Sequence, residues 1–299
     1  MALRALGLGD FLTGIPALRA LREAFPDHRI VLAAPSALAP LARLTGAVDE
    51  VIDTTPLAPL TSRLHGADVA VNLHGNGPQS HTILLATGPR RLVAFAAAGL
   101  DGPRWRPDEH EVVRWCRLLT ESGIPADPSP ERLRLVVSPD PSAERATVIH
   151  PGAASLARRW PPERWTALAQ AERSRGRPVL LTGSLVERSL AERIASAAGL
   201  DSSAVHAGET DLLELAGLIA GAARVVCGDT GVSHLATAVG TPSVTLFGPV
   251  SPSQWGPPPL ARHIALWAGR AGDPHAGTAD PGLLALDVER VDAALGMLA

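Results

Sequence analysis

The stretch with the clearest chemical potential is VCGDTGVSHLA, residues 226–236, where an apolar strand runs into small and polar residues and then into a helix. The first turn of a helix carries unpaired backbone N–H groups and a partial positive charge. Thr230, Gly231 and Val232 would offer such donors, and His234 adds another one turn further on. This combination suits a phosphate or diphosphate group.

Asp229 stands inside the same stretch and would repel a phosphate that it faced directly. We therefore expect Asp229 to cap the helix or to contact a sugar hydroxyl, while Thr230 and the amides meet the anion. The residues alone leave an alternative open, in which Asp229 or Thr230 caps the helix and no ligand is involved.

A second strand-to-helix turn is GLGDFLTGIPALR, residues 7–19. It starts like a dinucleotide-binding fingerprint but has Leu12 where the third glycine belongs, and it lacks the GK[ST] of a P-loop. Asp10 stands at the turn itself. Its carboxylate has two possible roles, an N-cap for a helix over residues 11–25 or a general base in a cleft.

Arginines follow a third strand in HPGAASLARRWPPERW, residues 150–165, where Arg158 and Arg159 form a pair. Guanidinium groups bind phosphate in a bidentate way, although exposed arginine pairs are usually just solvated. Glu187 lies in the first turn after another strand, and it either reaches a ribose hydroxyl or complements the helix dipole.

The loop NLHGNGPQSH, residues 72–81, carries His74, Asn76, Gln79 and His81. Such a polar loop after a strand either meets an acceptor or is an ordinary turn. The ten histidines form no HExxH, no CxxC pair is present, and a G-x-S-x-G elbow is missing. We therefore expect neither a metal site nor a serine nucleophile.

These groups need strands that end at a common edge, and the pattern of the chain provides them. Short apolar runs alternate with helical periodicity, which is typical of α/β layering. The predicted strands cover about 3–6, 29–35, 50–54, 67–73, 91–95, 147–153, 178–184, 204–210, 224–230 and 242–249. The predicted helices cover about 12–25, 36–45, 80–87, 108–123, 162–176, 186–199, 211–222, 232–240 and 287–298.

Residues 125–146 are rich in Pro, Ser and Asp and are predicted to link two domains. We assign residues 1–140 to the first domain and 141–299 to the second, with the final helix, 287–298, packing back on the first. The alternation predicts two doubly wound parallel sheets. Ligands bind outside the carboxyl ends of such strands at the switch point, so we expect the site in a cleft between the domains.

The composition narrows the class of protein. The net charge of -3 gives no attraction to nucleic acid. The chain contains no lysine, so a cation that holds phosphate is a guanidinium or a histidine. Its two distant cysteines fit core thiols in a reducing cytoplasm. No signal-peptide core and no run of about 20 apolar residues is present. We expect a cytoplasmic monomer without a transmembrane segment, and peripheral membrane contact stays open.

Three segments together resemble glycosyltransferase family 9, the ADP-heptose:lipopolysaccharide heptosyltransferase family. They are LGDFLTGIPALRALREAFP, HPGAASLARRWPPERW and GDTGVSHLATAVGTPSVTLFGPVSPSQWGP, in the order and spacing of that family. The resemblance implies a GT-B fold, with two Rossmann-like domains and a nucleotide sugar bound mainly by the second. It also implies inversion at the anomeric carbon without an obligatory metal or other cofactor.

The resemblance also assigns roles to positions of this sequence. Asp10 matches the proposed catalytic base, and Arg158 matches a phosphate-binding position that is commonly lysine. Ala153 and Ala154 stand where related enzymes often carry a hydroxyl, and Ser155 is expected to substitute. Thr230, Gly231 and His234 match the diphosphate-binding turn, Glu187 matches a ribose contact, and the backbone around Thr210 matches an adenine contact. From the residues themselves we add donor contacts at Asp229 and Val232, a nucleoside contact at Gly183, and acceptor contacts at His74, Asn76 and Gln79.

The resulting hypothesis is an enzyme that transfers a sugar from a nucleoside-diphosphate sugar, ADP-heptose in the first place, to a hydroxyl of a glycan or small molecule. Two alternatives stay open from the sequence. One is an epimerase or hydrolase of the same fold that needs no acceptor, and the other is a binding protein without catalytic activity.

Overall fold

The computed structural model describes residues 1–97 and 99–298. The chain divides into two compact units, Met1–Leu135 and Val136–Ala299. The division falls inside the predicted linker, residues 125–146. Proline is frequent there and allows only short 3₁₀ turns, at Pro130–Leu133 and Pro141–Ala143.

The described part of the first unit contains a parallel sheet in the order β3-β2-β1-β4-β5. Its strands are β1 (Ala2–Leu3), β2 (Val31–Ala34), β3 (Glu50–Asp53), β4 (Val69–Asn72) and β5 (Arg91–Val93). The chain builds outward from β1 to β3 and then returns to the other side of β1. The switch point therefore lies between β1 and β4, at their carboxyl ends.

The helices of the first unit are α1 (Leu8–Thr13), α2 (Ile15–Ala24), α3 (Ala39–Leu44), α4 (Gln79–Leu85) and α5 (Glu111–Glu121). The prediction of one helix over 12–25 was wrong, since the helical stretch begins earlier, at Leu8, and Gly14 divides it into two helices. A Cβ at Gly14 would lie 2.9 Å from the Arg4 Cδ and Nε atoms, so the break leaves space for that side chain. Pro16 then stands in the first turn of α2, a position that accepts proline.

The second unit has its own parallel sheet, in the order β10-β9-β8-β6-β7. Its strands are β6 (Thr147–His150), β7 (Val179–Leu181), β8 (Arg224–Gly228), β9 (Ser243–Leu246) and β10 (His263–Leu266). Its switch point lies between β6 and β8. The strand predicted over 204–210 is reduced to a single bridge between Leu181 and Val205.

The helices of the second unit are α6 (Pro162–Ser174), α7 (Arg188–Ala198), α8 (Leu212–Gly221), α9 (Gly231–Val239), α10 (Pro252–Trp255), α11 (Pro281–Leu284) and α12 (Val288–Gly296). Local signals set several of their ends, such as the capping box of Asp211 and Glu214 before α8. α12 packs against α6 and β9 of its own unit. Its contact with the first unit stays a prediction.

Candidate functional site

The residues assigned to donor binding lie at the carboxyl edge of the second sheet. They follow β6, β7 and β8, whose parallel strands end at the same edge. A Cβ at Gly228, the last residue of β8, would lie 3.2 Å from the Arg158 carbonyl oxygen. The loops after β6 and β8 are therefore packed together across the switch point.

The turn after β8 has the geometry of an anion site. α9 begins at Gly231, and Thr230 is its N-cap residue in an extended conformation (φ -144°, ψ 173°). The Thr230 side chain makes no cap hydrogen bond. The Thr230 carbonyl accepts instead from the Ser233 N–H at 3.1 Å and from the Ser233 hydroxyl at 2.8 Å. The Thr230 side chain therefore leaves the first-turn amides of α9 uncapped, contrary to the alternative in which Thr230 caps the helix.

The Thr230 hydroxyl is enclosed at the base of this turn. Its Oγ1 atom is buried and has no hydrogen-bond partner among the described residues, as is also the case for Thr245 Oγ1. Native proteins rarely leave such an oxygen unpaired. Both hydroxyls lie near the Cys227 thiol, whose pKa burial raises to about 12. That thiol is therefore a neutral core group and not a nucleophile.

Arg158 and Asp229 form an ion pair across the switch point. Arg158 Nη1 lies 3.2 Å from Asp229 Oδ2. Burial raises the pKa of Asp229, and the Arg158 charge opposes that shift. The Asp229 carboxylate therefore holds the guanidinium in place beside the α9 turn. The Arg158 side chain keeps 31% of its surface exposed and stays accessible to a ligand.

The loop after β6 is ordered by its own side chains. Ser155 caps the 3₁₀ turn Leu156–Arg158 and accepts from the Ala157 N–H at 3.2 Å. Arg159 turns away from the pair, because its Nε donates to the Ala153 carbonyl at 2.9 Å. Ser155 keeps its own proton for donation to a ligand, while Arg159 is held by the backbone.

Glu187 is fixed between two glycines. Its Oε2 accepts from the Ser184 N–H at 2.8 Å and from the Ser184 hydroxyl at 2.7 Å, which makes a capping box. A Cβ at Gly152 would lie 2.1 Å from Glu187 Oε1, and one at Gly183 would lie 3.2 Å from Glu187 Cβ. Burial favours a higher pKa, but the Ser184 hydrogen bonds and nearby positive charge outweigh it and lower the pKa of Glu187. The carboxylate is therefore anionic and already partly occupied.

Thr210 follows a segment that is bonded to the end of β7. The Gly208 N–H donates to the Gly183 carbonyl at 2.9 Å and ties the segment before α8 to the end of β7. His234, in contrast, stacks edge-on against Trp255 with ring centroids 5.8 Å apart. The second unit thus brings most of the predicted donor residues to one edge.

Asp10 lies in the first turn of α1 and not at its N-cap, which is Gly7. The capping role in the form predicted for residues 11–25 is therefore wrong. The Asp10 side chain is 29% exposed, and its Oδ1 lies 3.9 Å from Arg4 Nη2. Burial raises the pKa of Asp10, Arg4 lowers it, and Glu111 raises it. A carboxylate with a raised pKa is a better general base near neutral pH.

Arg4 is the residue that the sequence analysis missed. It follows β1 directly and is 1% exposed. Its Nε donates to the Asp10 carbonyl and its Nη1 to the Leu73 carbonyl. Its Nη2 lies 3.2 Å from Glu111 Oε1. An arginine inside the apolar run LRAL is the signal that would have found it, because a charge there needs partners.

The Leu73 contact holds the loop after β4 beside the Asp10 turn. The His74 N–H donates to Asn72 Oδ1 at 3.0 Å. Burial lowers the pKa of His74, and the Arg4 charge adds to that shift. Asn76 and Gln79 are exposed. His74 therefore shares the electrostatic environment of Arg4, whereas the Asn76 and Gln79 side chains face solvent.

Other parts of the molecule add little to the site. Among the described residues, no three His, Cys, Asp or Glu side chains come together as metal ligands. Within residues 1–97 and 99–298, no helix is long and apolar enough to cross a bilayer. A cavity of about 300 Å³ in the first unit is lined by residues around the strand starts, such as Met1, Ile30 and Asp68. It lies at the opposite edge from Asp10.

Two Rossmann-like units, each with polar groups at its switch point, define the class of GT-B proteins. The sequence model of glycosyltransferase family 9 (heptosyltransferase) matches residues 101–276, more than half of the chain. The chain belongs to this family.

Curated relatives match over part of their length. Lipopolysaccharide heptosyltransferase 1 of Pseudomonas aeruginosa is 40% identical over 114 residues, which are 38% of this chain and 31% of that protein. Lipopolysaccharide heptosyltransferase 2 of Escherichia coli is 36% identical over 144 residues, which are 44% of this chain and 41% of that protein. The matched parts thus span well under half of these relatives.

Solved structures match over the whole chain. The E. coli ADP-heptose LPS heptosyltransferase II has a TM-score of 0.79 at 24% identity, covering 99% of this chain and 97% of that one. The family 9 glycosyl transferase of Veillonella parvula has a TM-score of 0.81 at 18% identity, covering 99% and 96%. These likenesses confirm the predicted GT-B fold.

Proposed function

We propose that the protein is an inverting glycosyltransferase that transfers a heptosyl group from ADP-heptose to a hydroxyl of a lipopolysaccharide-type glycan. One observation carries the proposal: α9 starts with first-turn amides that its N-cap side chain leaves uncapped, and the Thr230 hydroxyl and the Arg158 guanidinium lie beside them. Such a group of donors fits a diphosphate leaving group. The family and the names of the relatives support heptose and ADP over other sugars and nucleotides.

In this proposal the first unit supplies the base and the second unit holds the donor. Asp10 accepts the proton of the acceptor hydroxyl, and the oxygen forms a bond to the anomeric carbon. The bond from that carbon to the diphosphate oxygen breaks, and its electron pair leaves with ADP. A single displacement of this kind inverts the anomeric centre.

The departing diphosphate gains negative charge, and the donors of the second unit would stabilise it. A well-placed preorganised donor contributes about 3–4 kcal/mol to such a transition state. A positioned general base contributes about 10²–10⁴-fold in rate. Glu187 and the backbone near Thr210 are proposed to bind the ribose and the adenine, with Gly183 leaving space for them.

We propose no resident metal or other cofactor, because guanidinium and amide donors are available for the diphosphate charge. The two described cysteines, Cys116 and Cys227, are free and buried, which fits a cytoplasmic enzyme. A monomeric state and the absence of nucleic-acid partners remain predictions.

The test is a transfer assay with product analysis. Purified protein is incubated with ADP-heptose, UDP-glucose or GDP-mannose, with and without a lipooligosaccharide truncated before its heptose, and with and without a chelator. We expect ADP release that requires the acceptor, survives the chelator, and yields the acceptor enlarged by one heptosyl group in mass spectrometry. Free heptose or an epimer from the donor alone would instead support a hydrolase or epimerase. Tight ADP binding without product on any acceptor would support a binding protein.

A further inference from the structure

Arg4 is a fully buried cation at the switch point of the first unit. It is 1% exposed and follows the central strand β1. An isolated charge in such a place is strongly unfavourable, so it needs hydrogen bonds and a counter-ion. A buried ion pair is nevertheless weak evidence for a role in stability, since apolar replacements are often no less stable.

The side chain of Arg4 contacts three elements around the Asp10 turn. Nε donates to the Asp10 carbonyl and Nη1 to the Leu73 carbonyl, at the end of β4. Nη2 donates to Thr13 Oγ1 at 3.0 Å and to Glu111 Oε1 at 3.2 Å. One side chain therefore joins α1, the loop after β4 and α5.

Glu111, the counter-ion of Arg4, and the aromatic ring beside Arg4 are also held in place. Glu111 is 4% exposed, and its Oε1 also accepts from Trp115 Nε1 at 2.7 Å. The Trp115 ring lies under the guanidinium, with 4.8 Å between its centroid and the Arg4 Cζ. Gly14 leaves the space that the side chain fills. The orientation of the guanidinium is thus set from several sides.

We propose that Arg4 is the positioning residue of the transfer reaction. Its guanidinium fixes the Asp10 turn and the His74 loop relative to each other and, with Glu111, sets the electrostatic environment of the Asp10 carboxylate. This inference rests on the proposed function, because it assumes that Asp10 is the base.

The charges that face Asp10 are Arg4 from the end of β1 and Glu111 from α5, and His74 faces Arg4 from the loop after β4. Arg4 favours the anionic carboxylate and Glu111 disfavours it. Loss of the Arg4 charge should therefore move the acid limb of the kcat/KM profile to higher pH. Loss of the Glu111 charge should move it to lower pH.

The experiment compares wild type, Arg4→Lys, Arg4→Met and Glu111→Gln. Profiles of kcat and kcat/KM against pH are measured with ADP-heptose and acceptor, and the Kd of ADP is measured by calorimetry. Arg4→Lys keeps the charge but loses the planar fork. Because small misplacements of reacting groups cost up to about 10²-fold, we expect kcat to fall at least about tenfold. The Kd of ADP should stay within about twofold, since the hydrogen bonds of Arg4 join it to residues of the first unit and the donor residues belong to the second.

Arg224→Lys is the matched control. Arg224 is also a buried arginine, paired with Glu172 at 4.0 Å and bonded to the Leu295 carbonyl at 2.9 Å, but it belongs to the second unit. We expect Arg224→Lys to lower Tm, as we also expect of the Arg4 variants, but to keep the wild-type pH profile of kcat/KM.

A second readout does not depend on turnover. The Asp10 carboxyl carbon is followed by NMR titration in ¹³C-aspartate-labelled protein and assigned by its loss in Asp10→Asn. Shifts of the Asp10 pKa in opposite directions in Arg4→Met and Glu111→Gln, together with the kcat loss in Arg4→Lys, support the inference.

Two outcomes overturn it: wild-type kcat and acid limb in both Arg4→Lys and Glu111→Gln, or limb shifts in the same direction for Arg4→Met and Glu111→Gln. If Arg4→Met does not fold, the other two variants still decide. If the wild type is inactive but the Asp10 pKa still shifts in opposite directions in Arg4→Met and Glu111→Gln, the proposed function is refuted. The electrostatic role of Arg4 would then still stand.

Discussion

The two units share one topology but fill their switch points with different chemistry. In both sheets the first strand lies between the strand that follows it and a strand that comes later in the chain. The Val205 bridge beside β7 even takes the place that β3 has in the first unit. The switch point of the first unit holds buried charged side chains, Arg4 and Glu111. That of the second holds glycines, backbone amides, a hydroxyl and the Arg158–Asp229 ion pair, whose guanidinium stays partly exposed.

This difference shows that the fold fixes the location of a site and the side chains decide its use. A carboxylate that must take a proton benefits from neighbours that tune its charge. An anion that must be held and released benefits from amides and an arginine that remain accessible. The following predictions test whether the two roles are as separate as the two environments.

Asp10→Asn is expected to have the largest effect. Without its base the enzyme should lose about 10²–10⁴-fold in kcat, while the Kd of ADP stays near wild type. A coupled assay of ADP release and calorimetry measure the two quantities. Asp127→Asn, an exposed carboxylate of the same unit, should change neither. A variant with wild-type kcat would remove Asp10 from the mechanism.

Gly152→Ala tests the packing of the second unit. The new Cβ would lie 2.1 Å from Glu187 Oε1, so the carboxylate must leave its capping box. We expect the free energy of unfolding to fall by about 1–3 kcal/mol, as in other overpacked sites, and the affinity for ADP to fall with it. Thermal and urea unfolding measure the loss.

Two companions sharpen this result. Gly296→Ala, at the end of α12 where nothing lies within 4 Å of the new Cβ, should be neutral or slightly stabilising. In the background of Glu187→Ala, the Gly152→Ala change should cost much less, because the colliding group is gone. Additive losses would mean that the two residues do not interact.

Thr230→Val isolates one hydroxyl of the second unit. A hydrogen bond to a charged group contributes about 1.5 kcal/mol or more, so the Kd of ADP should rise about tenfold or more. Stability should hold or improve, because the buried oxygen has no partner in the described part of the chain. Thr245→Val removes a similar unpaired hydroxyl in β9 and should leave the Kd unchanged. Equal Kd values for both variants would argue against a diphosphate at Thr230.

The last prediction concerns acid stability at His263, away from the donor edge. Burial, with help from Arg262, lowers the pKa of His263 to about 4. The unfolded chain takes up this proton below its pKa of about 6.5 and the folded chain does not. The free energy of unfolding should therefore fall as pH drops from about 6.5 toward 4. In His263→Asn the unfolding midpoint should depend less on pH in that window, and an unchanged slope would contradict the assignment.

Much of the fold could be predicted because the strong patterns are local. The buried run before Gly228 and the small residues after it gave β8 and α9 correctly. α10, β10 and α11 were missed, since proline and glycine make up 12 of the 34 residues from 249 to 282 and mask the short elements among them. The split at Gly14 was beyond sequence reasoning, because it depends on the guanidinium of a residue in another element.

The candidate site also has residues that local sequence patterns predict and residues that only the tertiary structure brings together. The α9 turn follows from a short motif, and so does the loop of Arg158. The ribose contact of Glu187 stays a prediction, and the spacing S-x-x-E of Ser184 and Glu187 predicts the capping box that the structure contains. Arg4 and Glu111 are far apart in the sequence, and only tertiary packing shows that they belong together.

Gly14 has a practical consequence for anyone who engineers this chain. Its backbone angles are helical (φ -83°, ψ -11°), so a replacement by alanine would pass the usual rule for stabilising a protein through helix propensity. Here the added methyl group would press on the Arg4 side chain. Thermostabilised versions should therefore keep Gly14 between α1 and α2. Stabilising substitutions are better placed on exposed faces elsewhere.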